Sequence, residues 1–325
     1  MEGINLTTTI CPNLLPAIAL LTRDDVVAIP TETVYGLAGN ALSDAAVRKI
    51  YAIKNRPLHN PLIVHVAEVF RIADIAHDIP ELAWQLLERF SPGPLTLLLP
   101  KKPVISDLVT AGLPRVAVRI PAHPLALELL RNLDFPLAAP SANPFGYISP
   151  TAPEHVLKQL GGKIAYILDG GVCDKGIEST VVGFEAGRPI IHRQGAISEE
   201  DIRQMAADAV VSDHESAAPA SPGMLPYHYS PATRLVFAEA SADLVARFDP
   251  GEVGVLAFDR YWPNFPEEHQ VVLSRTGNLD EAAHNLYAAL HSLDAMNLKL
   301  IVAEHLPEQG LGRAVNDRLR RAAAK

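Results

Sequence analysis

The chain has 325 residues, of which 48% are hydrophobic and 20% charged, and its formal net charge is −9. This composition indicates a globular protein with a sizeable core and excludes an intrinsically disordered chain. The net negative charge argues against stable electrostatic binding of nucleic acid. A brief contact through one local basic patch is the alternative. No apolar run approaches the length of a membrane span, and Cys11 and Cys173 form no zinc-site spacing. We therefore expect a cytoplasmic protein with two reduced thiols and no membrane contact.

Strand and helix signals alternate through the first two thirds of the chain, which predicts an α/β fold. A buried strand, VVAIP, ends at Pro30, and Ser43 is placed as the N-cap of a helix. Ser198 and Asp201 have the spacing of a capping box for a later helix. Further strands are predicted at PLIVHV, TLLLP, VAVRI, PLAAPSA, IAYILDGG, STVVGF and PIIHRQG, with helices at Leu82–Phe90 and PEHVLKQL.

The character of the chain changes after residue 207. Residues 208–226 are small, polar and rich in proline, which predicts a linker. Beyond Arg234 a second α/β pattern begins, with strands at LVFAEA, VGVLAF and LKLIVAEHL and helices near 280–292 and 312–324. The predicted organisation is a first domain at 1–207, a linker or lid at 208–234 and a smaller domain at 235–325.

Polar side chains follow the first buried strand in IPTETVYGLAGNA. Thr31, Glu32 and Thr33 come directly after Pro30, where an open α/β sheet places its ligand crevice. A plain strand-to-helix turn, made possible by Gly36, is the structural alternative. A plain turn does not account for the carboxylate of Glu32.

Three cations are candidates for binding anions. Lys54 and Arg56 lie where the second helix ends, either as solvated charges or as a phosphate clamp. Arg119 lies on the opposite face of its strand from Val116 and Val118. A buried arginine needs an anionic partner, which is either a structural salt bridge or a ligand carboxylate or phosphate.

No common nucleotide-binding or hydrolase motif is present: GxxxxGKS, GxGxxG after a strand, HExxH and GxSxG are all missing. If the chain binds phosphate, side-chain cations and loop amides must do so. The remaining polar candidates beside strands are Asn60, His65, Ser141, Asn143, Ser179 and Arg193.

Six segments together resemble the threonylcarbamoyl-AMP synthase family, in the order typical of that family: PTETVYGLAGNA, KNRPLHNPLIVHV, SPGPLTLLLP, VAVRIP, APSANPFG and KGIESTVVGF. SPGMLPYHYSPATRL and GLGRAVNDRLRRAA resemble its two-domain branch. The resemblance implies a YrdC-like twisted open sheet with helices and a smaller C-terminal Rossmann-like α/β domain. It also implies an enzyme, a nucleotidyltransferase that joins L-threonine, bicarbonate and ATP into threonylcarbamoyl-AMP and releases pyrophosphate. A downstream transferase would then modify the tRNA adenosine next to the anticodon.

The resemblance also implies roles for particular residues, which we state as expectations. Catalytic roles fall on Lys54 and Arg56. L-threonine contacts fall on Thr33, His65, Arg119, Ala139 (through its main chain) and Ser179. ATP contacts fall on Arg56, Asn60, Arg115, Ser141, Asn143, Ser149, Arg193 and Tyr229. Arg115 stands where the family often has threonine, Mg²⁺ is expected with the triphosphate, and no protein side chain is assigned to a metal.

Two other functions compete with this one. A carbamoyl-adenylate-forming enzyme of hydrogenase maturation would need zinc-finger cysteines and an acylphosphatase segment, which the sequence lacks. A non-catalytic double-stranded RNA-binding module would need a basic concave surface, which the net charge disfavours. The four arginines of GLGRAVNDRLRRAA predict a solvated helix face, with a partner or transient tRNA contact as the alternative.

Overall fold

The computed structural model describes residues 6–212, 228–238 and 242–324. The elements of the first part are β1 (Thr9–Cys11), α1 (Leu14–Thr22), β2 (Val27–Ile29), β3 (Gly36–Asn40), α2 (Asp44–Lys54), β4 (Ile63–His65), α3 (Ile72–Ile75), α4 (Glu81–Phe90), β5 (Leu95–Pro100), α5 (Asp107–Thr110), β6 (Arg115–Arg119), α6 (Pro124–Arg131), β7 (Leu137–Ala138), α7 (Pro153–Leu160), β8 (Tyr166–Leu168), β9 (Thr180–Glu185), β10 (Arg188–Arg193), α8 (Glu199–Met205) and β11 (Val210–Val211). The second part contains β12 (Leu235–Phe237), α9 (Ala242–Val245), β13 (Val253–Ala257), β14 (Gln270–Val272), α10 (Leu279–Ala295), β15 (Leu300–Ala303) and α11 (Gly312–Ala323).

One large mixed sheet contains eleven of the described strands, in the order β1-β8-β2-β3-β7-β4-β6-β5-β9-β10-β11. At its centre β4 and β6 are parallel, with His65 in register with Arg119, and antiparallel β5 places Thr96 opposite Arg119. Residues in register across a sheet point to the same face. The register therefore gathers three polar side chains into one row within an otherwise apolar sheet.

The smaller sheet has four described strands, all parallel, in the order β12-β15-β13-β14. Helices α10 and α11 pack against it through buried apolar residues, among them Leu286 and Leu319. The same hydrophobic cluster includes Val34 and Ile148 of the first part of the chain. The predicted pairing of a large twisted sheet with a smaller Rossmann-like α/β domain is confirmed, and one apolar core joins the two.

Several local expectations are confirmed and others are corrected. Ser43 caps α2, and Ser198 forms the predicted capping box with Asp201. The alternative of a plain strand-to-helix turn after β2 is wrong, because the chain first forms β3 antiparallel to β2. The strand β14 was not predicted at all.

The predicted linker is only partly described. Strand β11 lies beyond residue 207, the predicted end of the first domain, and pairs in parallel with β10. Residues 213–227 lie outside the described residues, so the boundaries of the linker stay a prediction. In the part of the chain that the structure describes, no helix is both long and apolar enough to span a bilayer.

Candidate functional site

Polar residues from several strand ends meet in one cleft. Its walls come from the turn after β2, the ends of β4, β6 and β10, the segment after β7 and the segment before β9, and linker residues close it. The lining residues are Thr31, Thr33, Val34, Gly36, Arg56, Ile63, His65, Arg119, Ala139, Pro140, Ser141, Glu178, Ser179, Arg193, His228 and Tyr229.

The turn after β2 is organised by the Thr31 hydroxyl. Its Oγ1 accepts hydrogen bonds from the backbone N–H groups of Thr33 at 3.1 Å and Val34 at 3.2 Å. Such a turn replaces the strand hydrogen bonds that the chain loses after Pro30. It also places the Thr33 hydroxyl in the cleft, 2.8 Å from Thr31 Oγ1.

Arg119 is buried at the end of β6 and is held on three sides. Its Nη2 donates to Glu32 Oε1 at 2.6 Å, its Nη1 to Thr33 Oγ1 at 2.8 Å and its Nε to the Gly93 carbonyl at 3.2 Å. The second Glu32 oxygen accepts the N–H of Ala122 at 2.9 Å. The structural salt bridge that the sequence left open is therefore present. It fixes a guanidinium in the wall of the cleft, where an anionic ligand can meet it.

His65 lies beside Arg119 in the same row of the sheet. Burial, together with the positive charge of Arg119, lowers the pKa of His65 to about 3. The imidazole is therefore neutral at physiological pH. The ring lines the cleft, where it can pair with a polar group of a bound molecule.

Arg56 enters the cleft because the preceding helix ends abruptly. Asn55 closes α2 in the left-handed conformation, with φ of 51°. Arg56 then donates from Nη2 to Asn60 Oδ1 at 2.6 Å and to the Pro61 carbonyl at 2.7 Å. Burial lowers the pKa of Arg56 to about 10. The side chain thus stays cationic at neutral pH and is oriented by its own loop.

Lys54 has a different position from the one its sequence suggested. Its ammonium is buried behind the cleft and donates to the carbonyls of Ser141 and Asn143. The Lys54 carbonyl in turn accepts the N–H of Phe145 at 2.7 Å. Burial and the neighbouring charge of Arg56 lower the pKa of Lys54 well below its usual range. Lys54 therefore shapes the loop that carries Ser141, and it is not among the residues that line the cleft.

The opposite wall carries Arg193 and Ser179. Arg193 Nη2 donates to the Ser179 carbonyl at 2.8 Å and lies 3.0 Å from its hydroxyl. That hydroxyl also lies 2.7 Å from Thr96 Oγ1, in the polar row of the sheet. Ser179 therefore connects the Arg193 wall with the Arg119 wall.

The structure brings most of the predicted site residues together and leaves some outside. Those lining the cleft are Thr33, Arg56, His65, Arg119, Ala139, Ser141, Ser179, Arg193 and Tyr229. Those not lining it are Lys54, Asn60, Arg115, Asn143 and Ser149. Asn60 and Lys54 contact lining residues, and the Ser149 hydroxyl donates to Glu178 at 2.7 Å.

Arg115 is separated from the cleft by the length of a strand. It begins β6, whereas Arg119 ends it. At the rise of an extended chain, the two Cα atoms are about 13 Å apart. Arg115 is therefore not among the residues that line the cleft, and its contact with ATP stays a prediction.

No group of three or more His, Cys, Asp or Glu side chains within the described ranges could hold a metal ion. The two carboxylates at the cleft, Glu32 and Glu178, are each already bound by an arginine. These residues do not fit a resident metal.

Comparison with known proteins places the chain in a family. The Sua5/YciO/YrdC model, described as "Telomere recombination", matches residues 19–195, and the model "Threonylcarbamoyl-AMP synthase, C-terminal domain" matches residues 197–324. The threonylcarbamoyl-AMP synthase of Bacillus subtilis (strain 168) is 43% identical, over 96% of this chain and 93% of that protein. The chain belongs to the threonylcarbamoyl-AMP synthase family. This confirms the resemblance stated from the sequence.

Two further relatives show the family likeness over nearly the whole chain. A threonylcarbamoyl-AMP synthase of Schizosaccharomyces pombe is 38% identical, over 94% of this chain and 86% of that protein. The crystal structure of P. abyssi Sua5 complexed with L-threonine superposes with a TM-score of 0.88 at 36% identity, over 98% of this chain and 97% of that chain. Both domains and their relative placement are therefore shared with a family member that binds L-threonine.

Sequence reasoning missed two features of the cleft. Nothing in KGIEST distinguishes Glu178 from an exposed loop glutamate. Its partner Arg318 is 140 residues away, on a helix whose arginines predict a solvated face. Arg318 and Arg321 are in fact buried, whereas Arg320 is exposed. The unused signal was the position of Arg318 within the apolar stripe of its helix, beside Val315 and Leu319.

Proposed function

We infer that this chain is a threonylcarbamoyl-AMP synthase, joining L-threonine, bicarbonate and ATP with release of pyrophosphate and water. The observation that carries this inference is the convergence of Arg56, Arg119 and Arg193 on one cleft. Three fixed cations from distant parts of the chain suit a site for two anionic substrates, an amino acid and a triphosphate.

The amino-acid half of the cleft lies around Arg119. Its guanidinium would bind the carboxylate of L-threonine, while Glu32 keeps the guanidinium in place from behind. The hydroxyls of Thr33 and Ser179 and the neutral ring of His65 would meet the remaining polar groups of the substrate. Ala139 would contribute its main chain.

The nucleotide half lies between Arg56 and Arg193. Both guanidinium groups are oriented by hydrogen bonds to the protein, so they lose little conformational entropy when phosphate binds. Ser141 lines the same half, and Lys54 holds its loop from behind. Mg²⁺ would arrive with the triphosphate as part of the substrate, in keeping with its preference for phosphate oxygens and water.

The reaction needs positioning more than a protein nucleophile. The threonine amine attacks the carbon of bicarbonate, and loss of water gives a carbamate. A carbamate oxygen then attacks the α-phosphorus of ATP, and pyrophosphate leaves. Holding both reactants in one cleft and neutralising the phosphate charge account for such a transfer. This fits a cleft that contains arginines and hydroxyls but no Ser-His-Asp arrangement among its lining residues.

Linker residues close the cleft. His228 and Tyr229 line it and are 5% and 1% exposed. We propose that they exclude water from the carbamate and the adenylate, both of which hydrolyse readily. The role of the linker as a lid predicts that its deletion abolishes turnover while the first domain stays folded.

The remaining expectations belong to the setting of the enzyme. We propose that a downstream transferase takes the threonylcarbamoyl group to tRNA and that the enzyme works in the cytoplasm. A brief contact with tRNA is part of the proposal. The acidic net charge limits that contact to a local patch.

Pyrophosphate release tests the reaction. The purified chain, given ATP with Mg²⁺, is expected to release pyrophosphate only when both L-threonine and bicarbonate are present. The product should have the mass of threonylcarbamoyl-AMP. Release with a carbamoyl donor in place of L-threonine and bicarbonate would favour a carbamoyl-adenylate enzyme. No release under any condition would contradict the proposed function.

A further inference from the structure

Helix α11 of the C-terminal domain reaches the wall of the cleft through Arg318. This side chain is fully buried, and its Nε donates to Glu178 Oε2 at 2.9 Å. Its Nη1 donates to Asp317 Oδ2 at 2.6 Å, and its Nη2 to the Gln194 carbonyl at 2.8 Å. The guanidinium also lies 5.2 Å from the ring centre of Tyr229. One side chain of the second domain therefore contacts two residues that line the cleft.

Glu178 is a carboxylate in a cleft that we assign to two anionic substrates. Apart from Arg318, the described residues that donate to its carboxylate are neutral hydroxyls, those of Ser149 at 2.7 Å and Tyr287 at 2.8 Å. Burial on its own raises the pKa of Glu178, but the charges of Arg318 and Arg193 outweigh burial and lower it. Glu178 is thus an anion balanced by Arg318 from behind the wall and by Arg193 within the cleft.

The last turn of α11 also holds the linker residues at the cleft. Ser230 Oγ donates to the Ala322 carbonyl at 3.0 Å, and the His228 N–H donates to the Arg321 carbonyl at 3.4 Å. A helix leaves its last carbonyls without intrahelical donors, so these groups are available to the linker. Tyr229, between the two contacts, is thereby placed over Arg318.

We propose that Arg318 is a positioning residue for ATP binding: it holds Glu178 and Tyr229 in place and thereby directs the charge of Arg193 to the phosphates. This inference rests on the proposed function, and it gives the C-terminal domain a direct part in substrate binding. Without Arg318, the buried Glu178 carboxylate is left to the charge of Arg193, the other cation that acts on it among the described residues. Carboxylate and phosphate then compete for the same guanidinium.

The two partners of this ion pair are not equivalent, which makes the proposal testable. Loss of the Glu178 charge leaves Arg318 with a second carboxylate, that of Asp317. Loss of the Arg318 charge leaves Glu178 with neutral hydroxyls and Arg193. The harm in an Arg318 variant therefore comes from the carboxylate that remains, and removing that carboxylate should relieve it.

The experiment uses the full chain with Arg318→Met, Glu178→Gln and the double variant. Calorimetry measures the dissociation constants of ATP alone and of L-threonine alone, and steady-state kinetics give KM for ATP and kcat. Arg318→Met is expected to weaken ATP binding about tenfold or more, with a smaller effect on L-threonine. The double variant is expected to bind ATP better than Arg318→Met alone.

A matched control comes from the same helix. Arg320 is exposed and pairs with Glu308 at the surface, so Arg320→Gln removes one positive charge without touching the cleft. It should leave the ATP affinity unchanged. If Arg318→Met does not fold, Arg318→Gln takes its place, because glutamine also removes the positive charge but keeps polar groups for hydrogen bonding.

Two outcomes would overturn the inference. A folded Arg318 variant with unchanged ATP affinity would show that the residue does not act on the cleft. Equal losses of ATP and L-threonine affinity, with a lower melting temperature and no relief by Glu178→Gln, would assign Arg318 a purely structural role. If the unaltered chain is inactive with both substrates and bicarbonate, the proposed function fails instead, and the calorimetric comparison still reports on Arg318.

Discussion

Two buried glutamate–arginine pairs border the cleft, and they face it in opposite orientations. In the first, Arg119 lines the cleft and Glu32 holds it from behind, within the first domain. In the second, Glu178 lines the cleft and Arg318 holds it from behind, from the second domain. The Nη2–Oε1 distance in the first pair is 2.6 Å, and the Nε–Oε2 distance in the second is 2.9 Å.

The difference in orientation gives the two pairs different tasks. A cation facing the cleft attracts an anionic substrate, and its carboxylate partner serves to orient it. A carboxylate facing the cleft repels such a substrate unless its own charge is balanced. The first pair should therefore govern the affinity for L-threonine, and the second the affinity for ATP.

The largest effect is expected from Arg119→Gln. This change removes the cation proposed to bind the threonine carboxylate and leaves Glu32 buried without its partner. We expect a loss of about a hundredfold or more in kcat/KM for L-threonine, together with a stability loss of about 3–5 kcal/mol. Kinetics at varied L-threonine and denaturant unfolding measure the two. Arg131→Gln, which breaks a surface pair with Glu68, is the control and should change neither.

A smaller effect on the same substrate is expected from Glu32→Gln. The amide can still accept from Arg119, but it no longer balances the charge or fixes the guanidinium as firmly. We expect an increase of about tenfold in KM for L-threonine, with little change in the KM for ATP. An equal fall in the affinities for ATP and for L-threonine would contradict the proposal that the Glu32–Arg119 pair governs L-threonine binding.

Acid should lower the stability of the fold through two buried histidines, His65 and His291. Burial, with the charge of Arg119, lowers the pKa of His65 to about 3, and burial, with the adjacent His155, lowers that of His291 to about 3. Because the unfolded chain binds these protons near pH 6.5 and the folded chain does not, stability falls as the pH drops from about 6.5 toward 3. Each histidine should contribute a loss of about 2 kcal/mol between pH 7 and pH 5.

Unfolding midpoints measured across this range check the acid effect. His291 faces His155, Lys158 and Asp294 at the contact between α7 and α10. In the His291→Gln variant, the free energy of unfolding should therefore fall less as the pH drops, because the contribution of His291 is removed. The contribution of His65 should remain. If stability depends on pH equally in the variant and in the unaltered chain, His291 does not contribute to the acid effect.

The smallest effect is expected from Arg115→Ala. This residue starts β6, at the end of the strand away from the cleft, and is only partly buried. The KM for ATP should change by less than about twofold, as for a surface substitution. An increase of tenfold would restore the expectation that came from the sequence.

Much of the fold and part of the site could be read from the sequence because their signals are local. The alternation around Arg119 marked a cation that needed an anionic partner, and the hydroxyls after Pro30 marked the end of a strand. The five-residue strand GLAGN, β3, was missed because it contains two glycines and no β-branched residue. Its pairing with β2, a tertiary effect, decides its conformation.

The parts of the site that were not predicted depend on contacts between distant residues. The Glu178–Arg318 pair joins residues 140 positions apart, and neither side chain is unusual in its own segment. Lys54 was predicted to face a ligand, yet the left-handed turn at Asn55 separates it from Arg56. Which of two neighbouring cations enters a cleft is decided by a backbone angle that local sequence patterns do not specify.

The most direct test of a single two-substrate cleft is a crystal structure of the full chain with L-threonine and a non-hydrolysable ATP analogue. We predict the threonine carboxylate on Arg119 and the triphosphate between Arg56 and Arg193. Another groove, lined by Phe70, Leu133 and other residues, offers an alternative place for a ligand. Either substrate bound there, or the two bound in separate sites, would contradict the account.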